Sequence, residues 1–443
     1  MIQSATPFIK GIDEYLKLEP EHPELAERIG RCLHKMGKLP YPEPDKPPAR
    51  PLHRRGASEE QKHAIETALT APLSYITAGP GSGKTSMVLV SAAVSLLRAG
   101  RRVMITAFTN SAVEHALSSV LAALGEEAKA YAPMRLGRSS EGFSTRWGEL
   151  CTNTGEEPQL VGITLDLLAK ALSEGTLGFE PDHILIDEAA YAPLVKVLPL
   201  LTYRKSRITM LGDHHQLPPV CDPKVQRCRG NRSLWLWQHS AVELGAIFDE
   251  PIWRPGRLRI TNTSVAALTR SYRFGTELAD VLSRRLYGDK LVGAAAHGTS
   301  IEVLPALGHT GRARCSPAEA DAIGGLVPTL TGSDYAVLTP YHAQERLLTE
   351  MMPQNERGRI HTIHSTQGRE WDTVVLSVVD GEKPLLMDSQ NRAVHGLEVL
   401  NTAVSRAKKR LIIVCDTASW QGRSGQLLSD LIEIGKWEYG IPG

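Results

Sequence analysis

The stretch that most limits what this chain can become is YITAGPGSGKTSM, from Tyr75 to Met87. A short apolar run (Leu73, Tyr75, Ile76) leads into a glycine-rich turn, and a helix-compatible segment, MVLVSAAVSLLRA, follows it. Strand, tight turn and helix in that order let a backbone fold around an anion. Gly79, Gly81 and Gly83, with Pro80 and Ser82 between them, allow N–H groups to converge where the helix N-terminus also points. Lys84 adds a compact positive charge for β- and γ-phosphates, and the Thr85 hydroxyl can ligate Mg²⁺. The usual spacing GxxxxGK(S/T) has glycine where this chain has Ala78, a difference of one methyl group. The stretch reads as a nucleoside triphosphate site, with ATP and Mg²⁺ as its ligands.

At 443 residues the chain is too long for one core, so two domains with appendages are expected. Lys plus Arg is 50 and Asp plus Glu is 49, a net charge of +1. A protein that coats nucleic acid through bulk charge is more basic, so any such binding belongs to a local groove. There is no run of eighteen apolar residues and no signal-peptide layout, so the chain reads as intracellular, in cytoplasm or nucleus, without a membrane segment. Six scattered cysteines with no CxxC fit reduced thiols. His214, His215, Cys221 and Cys228 fall near one another, but at no usual zinc spacing.

Residues 1–39 read as two short helices, with Leu25, Ile29, Cys32, Leu33 and Met36 on one stripe. The favoured reading is a helical pair docked on the main body, the other an arm for a protein partner. Residues 40–56 open with PYPEPDKPPARP, six prolines in twelve residues, and read as a stiff linker. From 57 the pattern alternates strand and helix, with apolar runs at Val103–Thr106, His183–Ile186 and Ile208–Leu211. It resumes after an irregular stretch with Tyr335–Leu338, Val374–Val379 and Leu411–Cys415. Buried apolar strands separated by helices predict parallel sheets covered on both faces. The expected fold is α/β, with two tandem units at 57–257 and 258–443, of which only the first carries a phosphate loop. A polar stretch at about 131–160, with Arg135, Arg138, Arg146 and Trp147, interrupts the first unit. It fits either a solvated loop or a small subdomain touching nucleic acid.

ILIDEAA places Asp187 and Glu188 at the end of a buried strand. Ligands gather at the carboxyl ends of parallel strands, so both carboxylates are expected to face the phosphate loop. Asp187 would hold Mg²⁺, and Glu188 would orient or deprotonate the attacking water. The next strand ends in LGDHHQLPPV, where Gln216 sits within reach of a γ-phosphate and Pro218 and Pro219 stiffen the turn. Trp235, Trp237, Trp253 and Tyr272 could stack bases, but SLWLWQHS reads more readily as an interface or core segment.

The ordered set AGPGSGKT, DEAA and GDHHQLPP resembles a superfamily 1 helicase, and the resemblance extends along most of the chain. SEEQKHAI is similar to the family's adenine-recognition element and implies Gln61 as the adenine reader. TAFTNSAVEHAL and GITLDLL resemble elements that grip the nucleic-acid backbone, implying Thr106, Thr109, Asn110 and Thr164. LTRSYRFGTEL implies Arg273 as a γ-phosphate contact, and LNTAVSRAKKRL implies Arg406 as a second one. HTIHSTQGREWD implies Thr362 and Gln367 on the nucleic acid and Gly368 and Glu370 on the nucleotide. The likeness leans to the 5′-to-3′ branch, which includes up-frameshift-like and nidovirus helicases, although His364 makes 362–371 closer to RecD-type DNA helicases. It implies two RecA-like domains with ATP in the cleft between them. The implied activity is a motor that tracks single-stranded RNA or DNA. The alternative is an NTP-gated single-strand clamp that does not unwind a duplex unaided.

Overall fold

The computed structural model describes residues 41–151, 157–219, 239–248, 260–306, 314–389 and 394–437. They form two compact units that divide in sequence between Leu268 and Thr269, with the short segments Gly79–Ser82 and His215–Leu217 belonging to the second. The helical pair expected in residues 1–39 lies outside the described residues, as do Trp235, Trp237, Trp253, Cys221 and Cys228. No helix among the described residues is long and apolar enough to cross a membrane.

The first unit is built on strands β1 (Leu73–Ala78), β2 (Val103–Ala107), β3 (Met134–Arg135), β4 (Leu160–Thr164), β5 (His183–Ile186), β6 (Arg207–Gly212) and β7 (Ser264–Leu268). Their spatial order is β3-β4-β2-β5-β6-β1-β7, and every pairing is parallel. Alternate residues feed opposite faces, as the two-residue period of a strand requires. Tyr75, Met104, Ile184, Ile186 and Met210 enter one apolar cluster, while Ile76, Val103, Ile105, Leu185 and Leu211 enter another. The second cluster is closed by helices α1 (Glu59–Thr70), α2 (Val90–Arg98) and α3 (Asn110–Leu124), and the first by α4 (Leu165–Glu174) among others. This is the doubly covered parallel sheet that the apolar runs imply. The proline-rich residues 41–56 contain no helix or strand and run along this unit. Lys46 pairs with Asp182, the Leu52 N–H donates to Ser95 Oγ, and Arg54 donates to the Ser86 carbonyl.

Beyond Leu268, the second unit opens with the short parallel pair β8 (Arg270–Ser271) and β9 (Val292–Gly293). Its main sheet holds β10 (Ser300–Pro305), β11 (Tyr335–Thr339), β12 (Ile360–Thr362), β13 (Trp371–Ser377) and β14 (Ala407–Cys415) in the order β10-β14-β13-β11-β12, again wholly parallel. Helices α5 (Thr276–Leu282), α6 (Pro317–Leu330), α7 (His342–Met351), α8 (Gly396–Val404) and α9 (Leu427–Ile434) accompany it. The apolar run expected to extend to Val379 stops as a strand at Ser377. Val379 turns into the left-handed region, at φ 66°, and donates its N–H to the carboxylate of Glu319. That carboxyl also accepts from Ser377 Oγ, and burial pushes it up to about 8.

Candidate nucleotide and nucleic-acid site

All strands of the first sheet run the same way, so their carboxyl ends share one edge. Gly83, at φ 82°, ends the phosphate turn, and the Met87 and Val88 N–H groups both return to its carbonyl, at 2.9 and 3.2 Å. The helix therefore starts with a wide turn, Lys84–Leu89, before the regular α2. The positive φ favours glycine at 83, where a Cβ would also fall 2.9 Å from Gln61 Nε2 and displace the end of that side chain. Gln61 is buried and occupies the third position of a capping box, its Oε1 accepting from the Ser58 N–H and its own N–H donating to Ser58 Oγ.

Across the same edge, β5 delivers the two carboxylates. Lys84 Nζ lies 2.9 Å from Glu188 Oε1, and Thr85 Oγ1 donates to Asp187 Oδ2 at 2.9 Å. Asp187 is 2% exposed. Burial pushes its carboxyl up, the charge of Glu188 adds to that, and Lys84 and the Thr85 hydroxyl oppose it. Glu188 sits in the left-handed region at φ 50°, a conformation costly for a residue with a side chain, and its N–H donates to Asp187 Oδ1. A hydroxyl beside a carboxyl is a hard-oxygen donor pair suited to a divalent cation such as Mg²⁺ when the carboxyl is ionised. No cluster of three or more His, Cys, Asp or Glu suited to a metal occurs among the described residues.

The residues implied for gripping a strand are arranged on the same edge at β2 and β4. Thr109 caps α3 by accepting from the Ala112 N–H, and Thr164 caps α4 by accepting from the Leu167 N–H. Asn110 is exposed, and its Oδ1 accepts from Arg135 Nη2 at 2.7 Å. Thr106 differs from these three. It is fully enclosed within β2, and its hydroxyl has no hydrogen-bond partner, so its side chain offers no surface to a strand.

In the second unit, Thr362 ends β12 and is 5% exposed, while Gln367 is half-buried and Gly368, at φ 73°, is exposed. Arg273 Nε lies 2.7 Å from Glu370 Oε2, and its Nη1 donates to the Ser405 carbonyl at 2.8 Å. Arg406 is 3% exposed and donates from Nη1 to the Arg369 carbonyl, at 3.3 Å, and from Nη2 to Gln216 Oε1, at 3.2 Å. The carbonyl of Gly81 accepts from the Tyr272 N–H at 2.9 Å.

Two family models, each described as an AAA domain, match residues 61–222 and 309–418. Lys84, Asp187, Glu188 and Gln216 fall in the first span, and Glu370 and Arg406 in the second. The chain is 27% identical over 407 residues to the DNA replication ATP-dependent helicase/nuclease JHS1 of Arabidopsis thaliana, across 81% of this chain and 28% of that protein. It is 23% identical over 402 residues to the DNA replication ATP-dependent helicase/nuclease DNA2 of Gallus gallus, across 81% of this chain and 36% of that one. The chain belongs to superfamily 1 of the helicases. It spans about a third of the length of these relatives. The structure of the PRRSV helicase overlays at a TM-score of 0.41 and 20% identity, across 80% of this chain and 54% of that one, a likeness of outline only.

Within this superfamily 1 chain, some functional geometry escapes sequence reasoning. The polar stretch after residue 131 is bolted to α3: Glu114 accepts from both the N–H and the hydroxyl of Ser140, which caps a short helix, Glu141–Trp147. Arg135 from the same stretch orients Asn110. No spacing signals either pairing, because the partners lie 25 and 26 residues apart on different elements.

Proposed function

We propose that this superfamily 1 chain is an ATP-dependent helicase that moves along single-stranded nucleic acid, 5′ to 3′, with two RecA-like domains that divide after β7, between Leu268 and Thr269, rather than at 257. The observation that carries the reading is one sheet edge holding both the Lys84–Glu188 and Thr85–Asp187 pairs and, after the adjacent β2 and at the end of the next strand, β4, the capped helix starts at Thr109, Asn110 and Thr164. Mg²⁺ would be held by Thr85 and Asp187 and would neutralise phosphate charge. Glu188 would orient the attacking water, and Gln216, Arg273 and Arg406 would meet the γ-phosphate. DNA is the favoured strand, since the relatives reported above carry DNA replication in their names.

The test is ATP hydrolysis by the full chain with matched DNA and RNA oligonucleotides. Stimulation by DNA beyond that by RNA is expected, and hydrolysis indifferent to any single strand contradicts the reading. Replacing Arg406 by alanine should lower kcat by about 100-fold or more while changing nucleotide affinity far less, as expected of a group that acts on transition-state charge. Parallel losses in kcat and in affinity for a fluorescent ATP analogue would assign Arg406 to ground-state binding instead.

A further inference from the structure

The carboxyl edge of the first sheet extends one strand beyond the residues placed on the nucleic acid so far. β3 pairs in parallel with β4 at the end of the sheet, and Leu136, just past β3, donates its N–H to the Gly162 carbonyl at 2.9 Å. The chain then turns through Gly137–Ser140 before the short helix at Glu141. Arg135 donates from Nη2 to Asn110 Oδ1, at 2.7 Å, and to the Arg138 carbonyl, at 3.1 Å, and from Nη1 to the Leu136 carbonyl. Gly137, at φ 98°, passes so near α4 that a Cβ would fall 2.7 Å from Leu167 Cδ2. At the far end of the loop, Glu114 on α3 takes both the N–H and the hydroxyl of Ser140. The loop is thus pinned between α3 and α4, the helices whose starts carry Thr109, Asn110 and Thr164. Arg135 is 8% exposed, and its Nε has no hydrogen-bond partner. Burying a guanidinium among carbonyl and amide oxygens costs stability, so this arrangement has more consequence for where the loop sits than for how firmly the domain folds.

Arg138 lies in the middle of this loop. Its side chain is exposed and makes no hydrogen bond or ion pair with any described residue. The acids at the starts of the two flanking helices do not compete for it, since Glu114 is taken by Ser140 and Asp166 pairs with Lys196. We propose that Arg138 binds a phosphate of the single strand, making the loop after β3 a third grip beside those at Thr109–Asn110 and Thr164. The inference rests on the carboxyl edge of this sheet being the strand track, as given under the proposed function. The three grips follow the neighbouring strands β2, β4 and β3, about 5 Å apart at each step, so a backbone laid along the edge meets them in order. A guanidinium takes two phosphate oxygens through parallel N–H bonds and reads no base, so it adds affinity without sequence preference.

The test uses the full chain with Arg138→Ala, Arg138→Lys and a control of equal charge change, Arg98→Ala. Arg98 ends α2 at the amino edge of the sheet, where it pairs with Glu127. Affinity for two single-stranded DNA oligonucleotides of unlike sequence is measured across a range of salt, with binding of a fluorescent ATP analogue and thermal melting alongside. Arg138→Ala should weaken both oligonucleotides alike, by about 10-fold at low salt, the scale of one charge-assisted hydrogen bond. The slope of log affinity against log salt should become shallower by about 0.7, the loss of one phosphate contact to a single strand. Analogue binding and melting should not change. Arg138→Lys should keep the slope and lose part of the affinity, and Arg98→Ala should match the wild type. A wild-type slope and affinity for Arg138→Ala would overturn the proposal. Loss on one sequence alone would make Arg138 a base reader, and an equal loss for Arg98→Ala would make the effect one of bulk charge; either overturns it too. If the unsubstituted chain binds neither oligonucleotide, the reading of the edge as a strand track fails and the proposal with it, a failure visible before any substitution is made.

Discussion

Replacing Lys84 by alanine should reduce ATP affinity by about 100-fold or more and leave no measurable turnover, a loss in line with a charge-assisted contact to phosphate in a partly desolvated site. The expectation follows from what surrounds the ammonium. Lys84 and Glu188 are 16% and 15% exposed and 2.9 Å apart, so the lysine offsets the negative charge of the DE pair as well as that of the phosphates. Without it, Glu188 loses that offset and repels an incoming γ-phosphate more strongly. Asp187, which Lys84 helps to keep ionised, would be pushed further toward its neutral form and would bind a cation less well. Titration with a fluorescent ATP analogue checks the affinity. Wild-type hydrolysis by the Lys84→Ala protein would sink the assignment of the phosphate loop.

Glu188→Gln should separate binding from chemistry. The change keeps the shape of the side chain and an oxygen facing Lys84, but removes the group able to take a proton from water. Loss of a general base costs about 10²- to 10⁴-fold in kcat. Binding should persist or tighten, because the charge of Glu188 is one cause of the raised Asp187 carboxyl, and removing it lets Asp187 ionise more readily for a cation. The variant should therefore hold ATP without turning it over, visible as analogue binding with no phosphate release in a single-turnover experiment. Turnover at the wild-type rate would remove Glu188 from the general-base role.

The legible part of the fold follows from strands with strong apolar runs. β2, β5 and β6 stand where VMIT, HILI and ITML predict them, since a strand buried on both faces leaves an unbroken apolar signature. β4 carries Gly162 at its centre, where a Cβ would fall 2.9 Å from Leu117 Cδ2. The glycine that lets α3 press on the strand also weakens its signal. β7 is a half-exposed, alanine-containing edge strand, and β10 holds Glu302, whose Oε1 is bonded by Arg410 Nε on the adjacent β14 at 2.6 Å. Such strands are defined by their neighbours rather than by their own composition.

The candidate site divides in the same way. The Lys84–Glu188 and Thr85–Asp187 pairings were foreseeable because a phosphate loop and a strand-ending DE have few ways to meet on one sheet edge. Thr106 was not foreseeable as an enclosed residue: its motif resembles the others, but it lies within β2, which is buried on both faces along its whole length, while Thr109 reaches the helix start. The Arg273–Glu370 pair joins residues 97 apart, and long-range ion pairs leave no local trace.

The central claim is that the phosphate loop and its carboxylates drive movement along a strand. It is tested most directly by unwinding of duplex DNA bearing a 5′ or a 3′ single-stranded tail, by the wild-type chain with ATP and Mg²⁺ and by the Glu188→Gln variant in parallel. The account predicts strand release from the 5′-tailed duplex by the wild type alone. ATP hydrolysis stimulated by single strands with no release from either duplex would contradict it and favour a nucleotide-gated clamp.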